Sequence, residues 1–210
     1  MTTPASPDTE AADREAMNRL VQGDDHALAE LAERYAPRVV RLLARLIGDE
    51  QDALDLCQET FVRVYRARAD YDPARPFHLW LFTIAANLGR NVVRARRRFL
   101  RISLDESAHD PDAPSLGEIL AAEAPPPDQV TEKAELRSAV RQAIEKLPVD
   151  MRSAVVLVDL EDLSVKEAAA ILQMPARTIE SRLYHARRRL RDRLTRWLNR
   201  LSPPTTAAAA

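Results

Sequence analysis

A proline-rich acidic stretch divides the chain into two parts. Residues 102 to 130 contain five prolines and few large apolar side chains, so they cannot bury enough surface to offset the entropy lost on ordering. On either side, apolar residues recur at helical spacing, as Leu28, Leu31 and Tyr35 do in the first part. The pattern predicts two small helical domains joined by a flexible acidic linker over residues 101 to 130.

Both domains are expected to be all-α. The 210 residues include only four glycines and no run of alternating β-branched residues, whereas Ala, Leu, Arg and Glu are abundant. We predict a helical bundle over residues 13 to 100 and a second helical domain over residues 131 to 201. Residues 1 to 12 are expected to be frayed, Pro37 to bend or interrupt its helix, and Gly48 to end that helix.

Composition argues against several classes of protein. The single cysteine, Cys57, cannot form an internal disulfide, and neither a signal peptide nor an apolar run near 18 residues is present. The four histidines lie far apart without metal-ligand spacing. We therefore expect a cytoplasmic protein with no cofactor, no metal site and no membrane insertion.

Opposite charges are concentrated in different segments. The net charge is only -1, yet residues 176 to 201 contain nine arginines against Glu180 and Asp192. Residues 102 to 135 contain nine carboxylates against Lys133. Because local charge steers nucleic-acid binding, the small total does not exclude a nucleic-acid partner.

The arginine-rich segment contains a predicted helix-turn-helix motif. Ser164 and Glu167 form a capping box that starts one helix, and Pro175 stops it and suits the first turn of the next. The exposed face of the second helix then offers hydroxyl, guanidinium and imidazole donors at Thr178, Ser181, Arg182, His185 and Arg189. Such donors fit base edges and phosphates at a major groove. A merely solvated amphipathic helix is the alternative, and Glu180 favours it because a carboxylate repels phosphate.

Both parts resemble one known family. The second part is similar to region 4 of the sigma-70 family, specifically the extracytoplasmic-function (ECF) group of bacterial RNA polymerase sigma factors. The shared positions are Leu147, Pro148, Arg152, Leu163, Ser164, Glu167, Ala168, Ala169, Thr178, Ile179, Ser181, Arg182, Leu183, Ala186 and Arg187. The first part looks like ECF region 2, with DALDLCQETF at residues 52 to 61 and WLFTIAAN at residues 80 to 87.

The resemblance implies a polymerase-binding helix face. In the family, the matching positions dock on the clamp helices of the largest subunit of core RNA polymerase; here they are Asp52, Asp55, Gln58, Glu59 and Phe61. The three acids are three and four residues apart, which places them on one helix face. Solvated acids beside a core Phe61 are the alternative.

The resemblance also implies two promoter-DNA sites. Tyr71, Asp72 and Arg75 of the loop up to Pro76, together with Asn87, match the family's reader of the minus-10 element, where a base is flipped into a pocket. Downstream arginines are expected on duplex phosphates: Arg90, Arg94, Arg96, Arg97 and Arg98. The aromatic side chains of Trp80 and Phe82 are expected in the core.

The minus-35 element would be read by the second helix of the motif, through Arg177, Thr178, Glu180, Ser181, Arg182 and His185. Here the chain departs from the family, which often has glycine before the threonine and basic residues at the two exposed recognition positions. Arg177, Glu180 and His185 stand there instead. We therefore expect an altered minus-35 preference, with Arg182 mainly on phosphate.

The implied function is a transcription initiation factor that binds core polymerase, directs it to promoters and assists strand opening without catalysing covalent chemistry. An anti-sigma factor is an expected partner. The acidic linker would imitate a polyanion in the polymerase cleft, and a merely soluble tether is the alternative that its composition supports equally. The main alternative is an autonomous helix-turn-helix regulator. A metal enzyme using Asp52, Asp55 and Glu59 lacks the Glu-x-x-His partners of such bundles, and a structural adaptor is the remaining alternative.

Overall fold

The computed structural model describes residues 7–107 and 132–201, and all regular secondary structure in these two ranges is helical. The first range contains α1 (Pro7–Val21), α2 (His26–Ile47), α3 (Glu50–Arg66), a short 3-10 turn (Arg68–Asp70) and α4 (Phe77–Ser107). The second contains α5 (Glu132–Glu145), α6 (Val149–Val155) continuing as a π-helical turn (Val156–Leu160), α7 (Val165–Leu172) and α8 (Ala176–Leu201). The all-α prediction is confirmed.

Helices α2, α3 and α4 form the centre of the first domain, and α1 packs across α2. Gly48 ends α2 in the left-handed region at φ 86°, as the sequence predicts, and the side chain of Asp49 accepts from the backbone N–H of Asp52 to start α3. An interruption at Pro37 does not occur, because α2 continues through it, whereas a bend there stays a prediction. Buried residues before and after the proline anchor both halves of α2 in the core, which outweighs the lost hydrogen bond.

The first helix begins earlier than the sequence suggested. We expected residues 1 to 12 to be frayed, but α1 starts at Pro7. Proline suits the first helical position, and the acids Asp8 and Glu10 in the first turn complement the positive end of the helix dipole. Residues 1–6 lie outside the described residues.

A buried carboxylate fixes α1 to α2. Asp13 is fully buried, and its two oxygens accept hydrogen bonds from the Arg34 guanidinium and the Tyr35 hydroxyl. Burial, and then the bond with Asp13, raise the pKa of Tyr35. The ring of Tyr35 also packs edge-on against Phe77, with centroids 5.4 Å apart. The cluster therefore links α1, α2 and α4.

Replacing Asp13 by alanine is expected to lower the free energy of unfolding by about 2–4 kcal/mol, since it leaves a buried hydroxyl and a half-buried guanidinium without their acceptor. Asp13→Asn keeps an acceptor for Tyr35 and should lose less. Urea denaturation followed by circular dichroism measures both. Equal losses for the two variants would show that the charge of Asp13, and not its hydrogen bonds, stabilises the contact.

The second domain is built around the predicted helix-turn-helix. Both bonds of the capping box between Ser164 and Glu167 are present, and Gln173 turns the chain at φ 53° after α7. On α8 the side chains of Ile179, Leu183 and Ala186 are buried, as their spacing predicts. The motif is therefore confirmed as a structural unit.

The two domains pack against each other. Helix α4 contacts α7 and α6, and α2 contacts α5, so one cluster of buried apolar residues extends through both domains. Helix α4 extends to Ser107, past residue 100, where we expected the first domain to end. Residues 101–107, assigned to the linker, are therefore helical, and residues 108–130 of the predicted linker lie outside the described residues.

Candidate nucleic-acid interface and acidic helix face

Helix α3 presents a row of acidic and amide side chains. Asp55 and Gln58 are exposed, and Asp52 and Glu59 are partly exposed beside them. Asp52 pairs with Arg96 of α4, and Glu59 accepts a hydrogen bond from Arg63 at 2.7 Å. Among the described residues, no arginine or lysine forms an ion pair with Asp55. Asp55 is therefore the acid on this face most available to a basic partner.

Phe61 does not belong to that exposed face. Its ring is only 8% exposed and packs in the core of the first domain with Val64 and Cys57. The sequence left a surface role and a core role open for Phe61, and the buried position favours the core role. A direct contact of Phe61 with a partner stays an untested prediction.

The loop between the 3-10 turn and α4 is held by an aromatic cluster. Tyr71 is 9% exposed, and its ring lies 6.1 Å from that of Phe77 and 5.3 Å from that of Trp80. Its hydroxyl donates to the carbonyl of Arg75 at 2.8 Å, which closes the loop on itself. Burial raises the pKa of Tyr71. Tyr71 therefore shapes the loop and leaves other residues to project from it.

Asp72 and Arg75 are the charged side chains of this loop, and both are exposed. A carboxylate oxygen of Asp72 accepts from the backbone N–H of Ala74 at 2.9 Å, and Arg14 of α1 donates to the Pro73 carbonyl at 3.1 Å. The loop is therefore ordered before any ligand binds. Nearby, Phe82 is fully buried, as expected, whereas Trp80 is only half-buried.

Helix α4 places Asn87 and the predicted phosphate-binding arginines along one stretch. Asn87 is half-buried, and Arg90 follows it by three residues. Arg90 is only 7% exposed and donates to Asp150 of α6 at 3.1 Å, while Arg94 donates to the same oxygen at 3.2 Å. Arg90 is therefore enclosed between the two domains in this arrangement.

Arg97 also contacts the second domain, donating to the Leu147 carbonyl at 2.8 Å. Arg98 is exposed. Of the five predicted duplex-binding arginines, Arg90, Arg94 and Arg97 touch the second domain, and Arg96 pairs with Asp52 of α3. Among the described residues, Arg98 is the one of these five without a hydrogen bond or ion pair. The sequence indicated the charge of this segment but not its contact with the other domain.

The exposed face of α8 borders an open cavity of about 530 Å³, lined by Met151, Pro175, Arg177, Thr178, Ser181, Arg182 and His185. Arg177, Glu180, Ser181 and His185 are exposed, and Thr178 is half-buried. Five of the six residues predicted to read DNA through this helix therefore surround one concave surface, and Glu180 lies on α8 outside the cavity lining.

Arg182 is the exception to this outward orientation. One of its guanidinium nitrogens contacts the sulfur of Met174, and another lies 3.7 Å from Asp150. The side chain is half-buried. Arg182 thus contacts Asp150 of its own domain, the carboxylate that Arg90 and Arg94 of the first domain also contact.

Asp150 lies in the first turn of α6 and accepts hydrogen bonds from Arg90 and Arg94. Burial opposes its ionisation, but the hydrogen bond from Arg90 and the charges of Arg182, Arg90 and Arg94 together outweigh burial. The pKa of Asp150 therefore lies below its ordinary value. Sequence reasoning missed this residue, since an acid two residues after Leu-Pro resembles an ordinary residue of a helix's first turn.

Glu161 and Arg152 are two further interface residues that the sequence did not reveal. Glu161 is 2% exposed and accepts from Arg45 of α2 at 2.6 Å. Burial raises its pKa, and the charges of Arg45 and Arg38 oppose that rise. Arg152 donates to the Leu46 carbonyl at the end of α2 at 2.6 Å. Neither partner is near in sequence, so no local pattern could have paired them.

No group of three or more His, Cys, Asp and Glu side chains that could hold a metal occurs within residues 7–107 and 132–201. In the same ranges, none of the helices combines the length and apolar character needed to cross a bilayer.

Comparison with known proteins identifies the family. A family model described as Sigma-70 region 2 matches residues 31–99, and one described as Sigma-70, region 4 matches residues 137–190. The RNA polymerase sigma-H factor of Pseudomonas aeruginosa is 32% identical over 179 residues, which are 85% of this chain and 92% of that relative. The chain belongs to the sigma-70 family. Like its relatives, this sigma factor is a transcription initiation factor of the ECF group.

Two further relatives support the assignment to the ECF group. The ECF RNA polymerase sigma factor SigE of Mycolicibacterium smegmatis is 39% identical over 177 residues, and this chain spans 65% of its length. The ECF RNA polymerase sigma-E factor of Escherichia coli is 34% identical over 175 residues, 83% of this chain and 90% of the relative.

Two solved structures share the fold. CnrH in complex with the cytosolic domain of CnrY matches with a TM-score of 0.61 and 27% identity, covering 88% of this chain and 97% of CnrH. The sigma factor RpoE of Bartonella quintana, in complex with the anti-sigma factor NepR, matches with a TM-score of 0.58 and 23% identity, covering 80% and 96%. Each match extends across both helical domains.

Proposed function

We propose that this sigma factor binds core RNA polymerase through α3 and promoter DNA through the loop before α4, through α4 itself and through α8. The observation that carries the proposal is the separation of charge on the described surface. Helix α3 exposes Asp55 beside Asp52 and Glu59, whereas α8 exposes Arg177 and His185. A protein partner rich in basic residues can therefore bind α3, while a polyanion binds the separate surface of α8.

The polymerase-binding residues are Asp52, Asp55, Gln58 and Glu59. Asp52 and Glu59 already have arginine partners within the chain, so a partner helix must compete with Arg96 and Arg63 for them. Asp55 has no such competitor among the described residues. We therefore assign the largest electrostatic contribution on this face to Asp55.

The loop with Asp72 and Arg75, together with Asn87 of α4, is proposed to capture the minus-10 element as single strand. Its backbone is ordered by the Tyr71 hydroxyl and by Arg14, so little conformational entropy is lost when a flipped base binds. Unpaired bases make contacts that closed duplex cannot make. Binding them offsets the cost of unstacking and assists strand opening without any covalent step.

The cavity beside α8 is proposed to receive the minus-35 duplex. Thr178, Ser181 and His185 line it with groups that can hydrogen-bond base edges, and Arg177 adds positive charge at its rim. Glu180 introduces an acceptor that suits a cytosine amino group and repels phosphate. The preference at minus-35 is therefore expected to differ from that of relatives with basic residues at these positions.

An anti-sigma protein is proposed as a further partner, and the cytoplasm as the place of action. The support is that CnrH and the Bartonella quintana RpoE were solved in complex with the cytosolic domain of CnrY and with the anti-sigma factor NepR. Both matches extend over most of this chain. The alternative of an autonomous regulator predicts tight, sequence-specific binding without polymerase, which footprinting with and without core enzyme distinguishes.

Replacing Arg182 by alanine tests the role of α8. With core polymerase present, binding to all promoter sequences should weaken alike, by about tenfold, and the slope of log affinity against log salt should fall by about one, because one phosphate contact is lost. Run-off transcription and filter binding over a salt series measure both. Arg200→Ala is the matched control, an exposed arginine at the other end of α8. A loss restricted to particular minus-35 sequences would contradict a phosphate role.

A further inference from the structure

Another open cavity lies between α5 and the C-terminal half of α8. Its volume of about 590 Å³ is in the range of cavities that bind small molecules. Its apolar side chains are Ala139 and Ala143 of α5 and Leu194 and Trp197 of α8. It shares no lining residue with the cavity that we assign to the minus-35 duplex. The second domain therefore has a concave surface to which the proposed function gives no ligand.

The charged side chains that line this cavity are all cations. They are Lys146, directly after α5, and Arg193, Arg196 and Arg200 of α8. Among the described residues none of these four forms an ion pair, since the ion pairs of α8 are those of Arg182 and Arg187 in its N-terminal half. Arg196 donates a hydrogen bond to the backbone carbonyl of Asp192 at 3.0 Å. A concave surface with charges of one sign concentrates counter-ions, so this cavity attracts anions.

Trp197 adds a planar ring to the same cavity. Its side chain is half-buried, and among the described residues no other aromatic ring packs against it. Trp80, by contrast, packs against the rings of Tyr71 and Phe77 in the first domain. An indole without an aromatic partner, next to guanidinium groups, can stack on a nucleobase while the guanidinium groups bind phosphate oxygens.

Helical spacing brings the ring and the cations together. Arg193, Arg196, Trp197 and Arg200 are three or four residues apart, so they lie on one side of α8. Gln142 lines the cavity from α5, and its amide group can both donate to and accept from the edge of a base. An inorganic anion would use the cations but neither the indole ring nor this amide. The lining therefore suits a ligand that combines a ring with several negative charges.

We propose that this cavity binds a nucleotide with a chain of phosphates, with its base stacked on Trp197 and its phosphates held by Arg193, Arg200 and Lys146. The site goes beyond the proposed function, because its lining residues lie outside α3, the loop before α4 and the exposed N-terminal face of α8. Nucleotide binding here requires neither promoter DNA nor core polymerase.

Isothermal titration of the protein with ATP tests the proposal, with tripolyphosphate and adenosine titrated in parallel. Tripolyphosphate has the phosphate chain without the base, and adenosine has the base without phosphates. ATP is expected to bind about tenfold more tightly than tripolyphosphate, because stacking on Trp197 adds to the phosphate contacts, and adenosine is expected to bind least tightly. Absence of ATP binding overturns the proposal. Tripolyphosphate binding as tight as that of ATP overturns it too, because it would show an anion site without recognition of the base.

Two variants test whether ATP binds in this cavity, and circular dichroism confirms their folding. Trp197→Leu keeps an apolar side chain but removes the planar ring, so it should weaken ATP binding by about tenfold and change tripolyphosphate binding by less than about twofold. Arg193→Gln removes one cation and should weaken binding of both by about tenfold. Arg191→Gln is the matched control, since Arg191 is an exposed arginine of α8 that does not line the cavity. Equal losses for Arg193→Gln and Arg191→Gln would overturn the assignment of the nucleotide to this cavity.

Single-stranded DNA contains the same bases and phosphates, and a competition experiment distinguishes it from a free nucleotide. The ATP titration is repeated in the presence of excess hexathymidylate. ATP binding is expected to stay unchanged, because the cavity has the size for a single nucleotide and the strand is proposed to bind at the loop before α4. Loss of ATP binding in the presence of hexathymidylate would assign the cavity to nucleic acid and overturn the proposal of a nucleotide site.

Discussion

Replacing Arg152 by alanine is expected to lower the free energy of unfolding by about 3–5 kcal/mol. The side chain is 5% exposed and lies where three helix ends meet. Its guanidinium donates to the carbonyls of Leu46 at the end of α2, of Glu145 at the end of α5, and of Leu147 just before α6. Burial, and then the nearby charge of Arg97, lower the pKa of Arg152, yet arginine stays charged at any pH relevant here.

The size of the effect follows from the acceptors. Helix C-termini leave carbonyls without partners inside the helix, and a cation placed there also complements the negative end of the dipole. Alanine would leave the carbonyls of Leu46 and Glu145 without that donor, at about 1–3 kcal/mol for each unsatisfied group, whereas the Leu147 carbonyl keeps its hydrogen bond from Arg97. Because Leu46 belongs to the first domain and Arg152 to the second, part of the loss falls on the contact between the domains.

Two variants provide the comparison for Arg152→Ala. Arg152→Lys keeps the charge but replaces a planar fork with a single ammonium, so it should recover only part of the lost stability. Arg66→Ala, at an exposed arginine on α3, should stay within about 0.5 kcal/mol of the native protein. Guanidinium denaturation measures all three. A midpoint for Arg152→Ala equal to that of Arg66→Ala would show that the buried guanidinium contributes no net stability.

Local signals in the sequence predicted most of the helices. The capping box at Ser164, the left-handed Gly48 and the spacing of Ile179 with Leu183 each depend on residues within one or two turns, so the sequence alone determines them. The possible interruption at Pro37 did not occur because the effect of a proline depends on tertiary packing, and α2 is buried on both sides of it. The α-helical class, the two domains and the turn before α8 required no distant partner.

The contact between the domains could not be predicted in the same way. Arg90 lies in a run of basic residues that favours a solvated or DNA-facing helix, and only its distance to Asp150, sixty residues away, reveals that it is enclosed. In the sequence, Glu161 likewise resembles an ordinary acidic residue of a loop. Its burial depends on Arg45 of α2, which is distant in the chain. Such pairs are set by how two surfaces complement each other, and a single sequence contains no periodic signal for that.

The acidic face of α3 was predicted more fully, because residues three and four apart share a helix face whatever the rest of the fold does. Asp52, Asp55 and Glu59 do lie together, and Asp55 and Gln58 are exposed. The spacing could not show which of these acids has no arginine partner among the described residues. Arg96 reaches Asp52 from α4, a helix that begins 25 residues later in the chain, and that contact singles out Asp55.

Replacing Asp55 by arginine is accordingly expected to weaken binding to core RNA polymerase by about 100-fold. An exposed ion pair alone contributes about 0.2–1 kcal/mol, but reversal also places like charges opposite each other at an interface, which costs several kcal/mol, and about 2.8 kcal/mol corresponds to 100-fold. Asp55 is exposed on α3, so folding should not change. Association is measured by fluorescence with labelled sigma factor and purified core enzyme.

Glu15→Arg is the matched control for Asp55→Arg, since Glu15 is an exposed acid on α1, outside the acidic face of α3. It makes the same change in net charge and should alter affinity by less than about threefold, as a screened charge does. Asp55→Asn, which removes the attraction without introducing repulsion, should lie between the two. If all three variants bind core polymerase alike, the acidic face of α3 is a solvated surface, and the polymerase contact must be sought on another helix.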